Sequence, residues 1–270
     1  MLKTTSRLFH GSLCSLGTVL LLLPACTLPG DATWSGAHLS AHAGGFYTGL
    51  DGDIKTTTKN PKVTGNFDVG KDTGQSDDQL NGQIGFRLGF APVELSLTAF
   101  DYSAEGTGRF NGNFLGTPFT GRVRSDFNIR NIKAMLGLDV FNSEWLRVGA
   151  QLGVSYMSTD LELQDLNSNT VEKIDEDLPI PVVGIRADVK LMDELSLGGE
   201  IAGLDITVDD FDATYIDAMA GLHYKPWDHV EAFLGYRLIN IQFQGPIDNS
   251  TDADVDLDLS GPFFGIGIWF

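Results

Sequence analysis

The segment "SGPFFGIGIWF" (residues 260–270) stands at the end of this 270-residue chain and gives the first indication of its fold. In a β-strand, successive side chains point to opposite faces of the sheet. One face of this segment therefore carries Phe264, Ile266, Ile268 and Phe270. A soluble protein of formal net charge −18 is not expected to end in an exposed apolar strand. The segment therefore indicates a strand whose outer face lies against lipid.

The same alternation continues through most of the chain, and no stretch from 39 to 270 shows a sustained helical period. In "LNGQIGFRLGF" (80–90), for example, apolar residues alternate with polar residues and glycine. Short turns alternate with longer polar loops, the longest at 55–78 and 164–178. The pattern predicts an all-β, transmembrane, antiparallel up-and-down β-barrel of about ten strands, with eight as the alternative. The predicted strands are 40–54, 79–91, 93–114, 119–141, 145–163, 179–192, 195–208, 213–226, 230–244 and 254–270.

Alternation alone does not tell which face of the strands points outward, and a soluble sandwich or barrel is the alternative. Mid-strand glycines on the polar face suit a crowded lumen. Aromatic residues near strand ends, such as Phe90, Tyr224 and Trp227, suit a membrane interface. The terminal Phe270, with apolar residues at alternate preceding positions, resembles the signal that the outer-membrane assembly machinery recognises. These features favour the membrane barrel.

The ending "GYRL…SGPFFGIGIWF" (235–238 and 260–270) resembles that of an uncharacterised family of small proteobacterial outer-membrane β-barrel proteins. The resemblance implies a location in the outer membrane of a Gram-negative bacterium. It implies no particular activity. An even strand number places both termini on the short-turn side, which we predict to be periplasmic. The predicted partners are outer-membrane lipid, lipopolysaccharide and the assembly machinery.

The N-terminal residues 1–26 are predicted to be a signal peptide, with Lys3 and Arg7 before the apolar run "LCSLGTVLLLL" (13–23). The residues before Cys26 resemble a lipobox, although proline fits poorly there, so the sequence leaves open both lipidation of Cys26 and plain cleavage after Ala32. Residues 27–38 are predicted to be a linker and residues 39–270 the barrel. Since the chain has two cysteines and one lies in the signal peptide, no intramolecular disulfide or cysteine metal cluster is expected.

Alternation also predicts a network of charged side chains facing the lumen. Six are basic and five acidic, so they can pair across the barrel. We expect a structural ion-pair plug, with a gated ion or solute path as the alternative. The predicted network is Arg87, Lys133, Asp139, Arg147, Arg186, Asp188, Lys190, Glu200, Asp217, Glu231 and Arg237.

In several strands the apolar side changes from outward to inward at a similar height. In 230–244, for example, outward Leu234 and Tyr236 are followed on the same face by Asn240 and Gln242. Where water surrounds the barrel, the polar face must point outward. We therefore predict an extracellular half with an apolar interior above a charged lumen in the membrane half. This apolar chamber is either a close-packed core or a pocket for a small apolar solute. Its predicted members are Phe100, Tyr102, Phe127, Ile129, Leu161, Leu163, Ile239, Ile241, Phe243, Val255, Leu257 and Leu259.

The segment "DNSTDADVDLD" (248–258) is strongly acidic. It lacks the glycine and the closing glutamate of an EF-hand. A solvated acidic rim is one interpretation. The other is weak Ca²⁺ or Mg²⁺ binding that bridges to lipopolysaccharide phosphates. The ligands in that case are Asp252, Asp254, Asp256 and Asp258. No other cofactor is expected, and the acidic balance argues against nucleic acid as a partner.

The predicted function is a structural or surface-interaction barrel with no chemistry. Binding or transport of a small apolar solute in the outer half is the alternative. An outer-membrane hydrolase is a remote alternative, because acid pairs such as Asp77-Asp78 fall on the extracellular side. Such a hydrolase needs a histidine as its base at that rim, whereas His38, His42, His223 and His229 fall near the other end. We therefore predict that the protein is not an enzyme.

Overall fold

The computed structural model describes residues 37–59, 62–74, 78–208, 211–246 and 251–270. These ranges form eleven strands and one short helix, and the all-β prediction is confirmed. No helix within them is long and apolar enough to cross a membrane. In chain order the elements are β1 (Ala37–Lys59), β2 (Lys62–Asp68), α1 (Val69–Thr73), β3 (Gln79–Phe90), β4 (Val93–Phe114), β5 (Thr117–Asn142), β6 (Leu146–Asp165), β7 (Val171–Lys190), β8 (Leu195–Val208), β9 (Phe211–Trp227), β10 (Val230–Pro246) and β11 (Thr251–Trp269).

Ten of the strands close into a ring by antiparallel pairing of neighbours. From β3 to β11 they follow one another in chain order, and β1 lies between β3 and β11. The seam joins β1 to β11, with Ser40 opposite Trp269 and Thr58 opposite Thr251. The predicted up-and-down barrel is therefore confirmed. We call the end of the barrel that holds Phe270 the near end, and the opposite end the far end.

The remaining strand, β2, continues the barrel wall toward the far end on the same edge of β1 as β3, and it corrects the prediction of a loop at 55–78. Pairing of β3 with β1 ends at Thr48, and β2 pairs with β1 over Asp53–Lys59. A β-carbon at Gly65 of β2 would lie 1.6 Å from the carbonyl oxygen of Asn113 in β4, so this close approach requires glycine. Alternation missed the strand because β2 is short and depends on β1 for its hydrogen bonds.

The prediction of a loop at 164–178 is also wrong, since β6 extends into it and β7 occupies most of the rest. Over Val171–Val182, β7 pairs with β6, and its pairing with β8 begins at Val183. Pro179 and Pro181 are tolerated there because proline is compatible with a strand that has a partner on one side. The predicted strand 179–192 already included both prolines, and the acidic residues before them hid the first part of β7 in the sequence.

The turn between β6 and β7 is organised by Asp165. Its carboxylate accepts hydrogen bonds from the backbone N–H groups of Asn167 at 2.7 Å, Ser168 at 3.1 Å and Thr120 at 3.3 Å. These donors favour the ionised form and lower the pKa of Asp165. The turn therefore ties the β6–β7 hairpin to β5 at the far end.

The outer wall of the near half is an apolar band. Its exposed residues include Leu39, Leu97, Leu136, Leu152, Val183, Leu234 and Ile266. Aromatic side chains flank this band on both sides, as at the two interfaces of a bilayer. Those toward the far end are Tyr47, Tyr156 and Tyr236. Those toward the near end are Phe90, Trp145, Tyr224, Trp227 and Phe270.

The strands continue well beyond this band toward the far end. β5 has 26 residues, whereas a strand needs only about 9–11 to cross a bilayer. In the far half the interior is apolar, and aromatic rings contact each other there. The ring centroids of Phe67 and Phe110 are 5.2 Å apart, and those of Phe110 and Phe119 are 6.1 Å apart. The interior thus changes from polar to apolar along the barrel axis.

Candidate functional site

The near half of the lumen is crossed by ion pairs, and Glu94 of β4 is the centre of one group. Its carboxylate accepts a hydrogen bond from Arg147 of β6 at 2.9 Å and contacts Arg186 of β7. Nε2 of His38 on β1 lies 3.0 Å from the same carboxylate. The Glu94 and Arg147 side chains are both only 2% exposed. One carboxylate therefore connects four strands.

Asp217 of β9 is the centre of a second group. Its side chain is 0% exposed and accepts hydrogen bonds from Nζ of Lys133 at 2.6 Å and from Nε of Arg237 at 2.9 Å. Lys133 also donates to Glu200 of β8 at 2.7 Å. Burial of these charges is tolerated because each has a partner and additional hydrogen bonds. The group connects β5, β8, β9 and β10.

The structure brings most of the predicted lumen network together. Arg147 also binds Asp188 at 2.8 Å, and Arg186 binds Asp139 at 2.6 Å. Glu231 lies 2.8 Å from Nδ1 of His223. Arg87 is half-buried between its register partners on β1 and β4.

Lys190 pairs with a residue that is not among the predicted lumen charges. It pairs with Asp193, which is 88% exposed in the β7–β8 turn, at 2.8 Å. The position is the last of β7, so its long side chain reaches the turn outside the network.

Sequence reasoning missed Glu94, although a signal was present. In "VELSL" (93–97) the residues Val93, Leu95 and Leu97 are exposed on the apolar band, so alternation turns Glu94 inward. It also missed the pairing of His38 and His223 with lumen carboxylates. These contacts depend on which strands become neighbours, and alternation within one strand does not contain that information.

Glycines on the lumen side make room for the long charged side chains. A β-carbon at Gly149 of β6 would lie 2.9 Å from Nε of Arg186. At Gly89 of β3 it would lie 1.9 Å from the ring of His38. The mid-strand glycines of the polar face therefore have a packing function, as expected where large side chains cross a narrow barrel.

The structure places the predicted apolar chamber residues in the interior of the far half. Buried among them are Phe100, Tyr102, Phe127, Ile129, Leu161, Leu163, Ile239, Leu257 and Leu259. The others, Ile241, Phe243 and Val255, are half-buried. Burial, with a smaller effect of Asp51 and Asp78, raises the pKa of Tyr102 to about 12. Further buried members that the sequence pattern did not single out are Phe46, Phe67, Phe110, Phe114 and Phe119.

The predicted cation ligands lie on the outer wall of the far half. Asp254, Asp256 and Asp258 are exposed, and Asp252 pairs with Lys59 at 2.9 Å. Asp256 is the register partner of Asp53 on β1. No three His, Cys, Asp or Glu residues in the described ranges form a group that could hold a metal ion. Any binding there remains a prediction.

Phe264, Ile266, Ile268 and Phe270, the predicted assembly signal, are exposed on the apolar band at the seam with β1. Cys26, the signal peptide and most of the predicted linker lie outside the described residues. The histidines within the described ranges lie near the Phe270 end, where His229 contacts the ring of Phe270 at 5.1 Å. The hydrolase alternative requires a histidine base at the far rim. The part of that rim that the structure describes has no histidine.

A closed antiparallel barrel with an outward apolar band, two aromatic flanks and a charged lumen defines a transmembrane β-barrel protein of the outer membrane. The sequence comparison agrees. Residues 18–260 match the family model described as "Outer membrane protein beta-barrel domain", and the chain belongs to this family. The outer membrane of a Gram-negative bacterium is its location.

Two outer-membrane proteins are among the solved structures that match this chain. The outer membrane protease OmpT from Escherichia coli is 9% identical with a TM-score of 0.54, covering 86% of this chain and 97% of OmpT. The outer membrane protein OprG from Pseudomonas aeruginosa is 13% identical with a TM-score of 0.42, covering 87% of this chain and 97% of OprG. At 9% identity, the similarity to OmpT supports the fold and says nothing about activity. No curated protein matches the chain.

Proposed function

We propose that the protein is an outer-membrane barrel that is closed along its axis and has a structural or surface-interaction role without chemistry. The observation that carries this proposal is the pair of ion-pair groups around Glu94 and Asp217. Their carboxylates join strands around the lumen, from the adjacent β9 and β10 to the well-separated β5 and β9, at hydrogen-bond distances of 2.6–2.9 Å. A water-filled path would have to break these contacts, and an unpaired buried charge is costly.

We further propose that both termini are periplasmic and that the far half stands in the extracellular space. Support comes from the strand lengths, because the far half continues well past the apolar band. Outer-membrane lipid and lipopolysaccharide are then the molecules around the barrel wall. The assembly machinery is the third partner, recognising Phe264, Ile266, Ile268 and Phe270. Deletion of Phe270 should lower the amount of folded, heat-modifiable protein in the outer-membrane fraction, whereas deletion within the 62–68 hairpin strand should leave recognition intact.

Conductance in planar lipid bilayers tests the closed barrel. We expect the full-length protein to give no stable channel under conditions in which a general porin conducts. Glu94→Ala removes one counter-charge from Arg147 and Arg186, which keep only Asp188 and Asp139, and should raise the conductance. Glu105→Ala lies on the same strand with a 61% exposed side chain on the outer wall and should change nothing. Stable ohmic channels from the unmodified protein would overturn the proposal and favour a solute path.

A specific feature of the wall favours the second candidate, binding of a small apolar solute in the far half. Part of the apolar interior remains accessible there, where β7 and β8 no longer pair.

A further inference from the structure

The wall of the far half is discontinuous between β7 and β8. These strands pair only over Val183–Lys190 and Ser196–Gly203. Beyond that point β7 follows β6 from Val182 back to Val171, while β8 follows β9 from Leu204 to Val208. The β6–β7 hairpin and the β8–β9 hairpin therefore separate toward the far end. We call this separation the lateral gap.

Apolar side chains of the interior face stay accessible beside the lateral gap. Ile206, Ala213, Phe243 and Val255 are register partners across β8, β9, β10 and β11, so they share one face. Leu257, two residues along β11 on that same face, is 5% exposed, which identifies it as the interior face. Ile206 is nevertheless 38% exposed, and Phe243 and Val255 are half-buried.

The adjoining positions show the same accessibility. Phe211 on the interior face of β9 is 38% exposed. Leu178 of β7 follows the inward alternation of Val182, which is 1% exposed, yet it is itself 47% exposed. On the opposite wall, Phe127 and Leu161 are each only 1% exposed. The apolar interior is thus closed on the β5–β6 side and accessible on the β8–β10 side.

The base of the lateral gap adjoins the apolar band. Val183 and Ile201, at the far end of the β7–β8 pairing, are 60% and 47% exposed on the outer wall. Their side chains face the lipid that surrounds the band. An apolar molecule dissolved in that lipid can therefore reach the gap without crossing water. This continuity argues for a lipid-soluble occupant.

The charges on β7 restrict the occupant further. Asp175, Glu176 and Asp177 are exposed along the strand that borders the gap. They would repel a carboxylate or phosphate at short range. Charged residues and proline also discourage pairing of an open edge with another strand, and Pro179 and Pro181 lie on this segment. An uncharged apolar molecule therefore fits better than an anionic lipid or an added β-strand.

We propose that the lateral gap is the entrance to a binding site for an uncharged, lipid-soluble molecule with an alkyl or aromatic body. The molecule lies against the inner face of β8, β9 and β10, in contact with Ile206, Phe211 and Phe243. The proposal goes beyond the surface-interaction role. It is independent of axial conductance, because entry is through the wall and the ion-pair groups stay closed.

A filling substitution with a matched control tests the site. Ala213→Trp places an indole between Ile206 and Phe243. Ala218→Trp makes the same change on the same strand, but Ala218 is a register partner of the exposed Ile201 and Leu238 and faces outward. Both full-length variants are refolded and held in amphipol, so that no bilayer competes for the probe. The probe is N-phenyl-1-naphthylamine, which is uncharged at pH 7 and fluoresces in apolar sites.

We expect saturable probe binding to the unmodified protein, displaced by 1-dodecanol more effectively than by dodecanoate. Ala213→Trp should weaken binding at least tenfold, and Ala218→Trp less than twofold. Ile206→Ser removes an apolar side chain from the site without adding bulk, and it should weaken probe binding at least threefold. This variant tests the site if Ala213→Trp does not fold, as judged by heat-modifiability. Absence of saturable binding, or equal effects of both tryptophan variants, would overturn the proposal. Stronger displacement by dodecanoate would overturn its exclusion of anions.

Discussion

The near and far halves of this barrel are built from the same strands but are inverted with respect to each other. In the near half of β10, Leu234 and Tyr236 are exposed on the outer wall and Arg237 is buried within. Further along the same strand Ile241 packs inward and Gln242 is exposed. Neither half follows a fixed rule of apolar inside or apolar outside. Each presents to its surroundings the side chains that those surroundings solvate.

The inversion also sets how each half is held together. The near half encloses charges whose pairs cross the lumen, and its contacts are directional. The far half encloses phenylalanine and leucine side chains, whose contacts depend on filled volume. The near half should therefore be most sensitive to loss of a single charge, and the far half to polarity and to cavities.

The largest expected effect comes from placing a charge in the far interior. Leu257→Asp should lower the free energy of unfolding by about 4–5 kcal/mol, because a carboxylate without a partner would be buried. Its neighbour Asp256 is exposed, and Asp256→Leu should change the stability by less than about 0.5 kcal/mol. Urea titration followed by tryptophan fluorescence measures both. Similar losses for the two variants would contradict the inversion.

Loss of one lumen carboxylate should have the next largest effect. Asp217→Asn leaves Lys133 and Arg237 without their common counter-charge and should cost about 3 kcal/mol. The exposed Asp258 accepts a hydrogen bond from Asn240 at 2.9 Å and provides the matched Asp258→Asn control, with little expected effect. The same urea titration applies. If Asp217→Asn is as stable as the unmodified barrel, the ion pairs do not hold the near half together.

A smaller change probes whether the β4–β5 side of the far half is filled. Phe114 is 1% exposed and contacts Phe67 and Phe119 at centroid distances of 5.5 and 6.5 Å. Phe114→Leu should leave a cavity and cost about 1–2 kcal/mol. Phe243→Leu, on the accessible side, should cost clearly less. Equal costs, measured by denaturant titration, would argue that both sides are equally well packed.

The smallest expected effect concerns the acidic outer wall. Asp53 and Asp256 are register partners, and like charges directly opposite on neighbouring strands repel. Weak, low-specificity binding of Ca²⁺ or Mg²⁺ in the millimolar range should relieve this repulsion at low salt and disappear as salt screens it. Isothermal calorimetry at two ionic strengths measures it. Replacing Asp254, Asp256 and Asp258 by Asn should abolish the heat, and unchanged heat would remove this wall as the site.

Sequence reasoning succeeded where one strand contains all the information. Alternation within a strand told inward from outward residues, so the ring of strands, the lumen charges and the change of polarity in β10 were predictable. It failed where a contact depends on the neighbour. β2 is a strand because β1 offers it an edge, and the partner of Lys190, Asp193, lies in the adjacent turn. Glu94 was within reach of the same alternation and was overlooked.

The amino-acid sequence alone predicts a membrane barrel, because a period of two with reversed polarity is a property of neighbouring positions along one strand. Where the wall is closed and where it opens depends on how the strands pair in the folded barrel. The lateral gap exists because β7 and β8 pair over Val183–Lys190 and then follow different partners. Hydrogen-bond pairing joins segments that are distant in the sequence, and the periodicity within each strand contains no information about which segments pair.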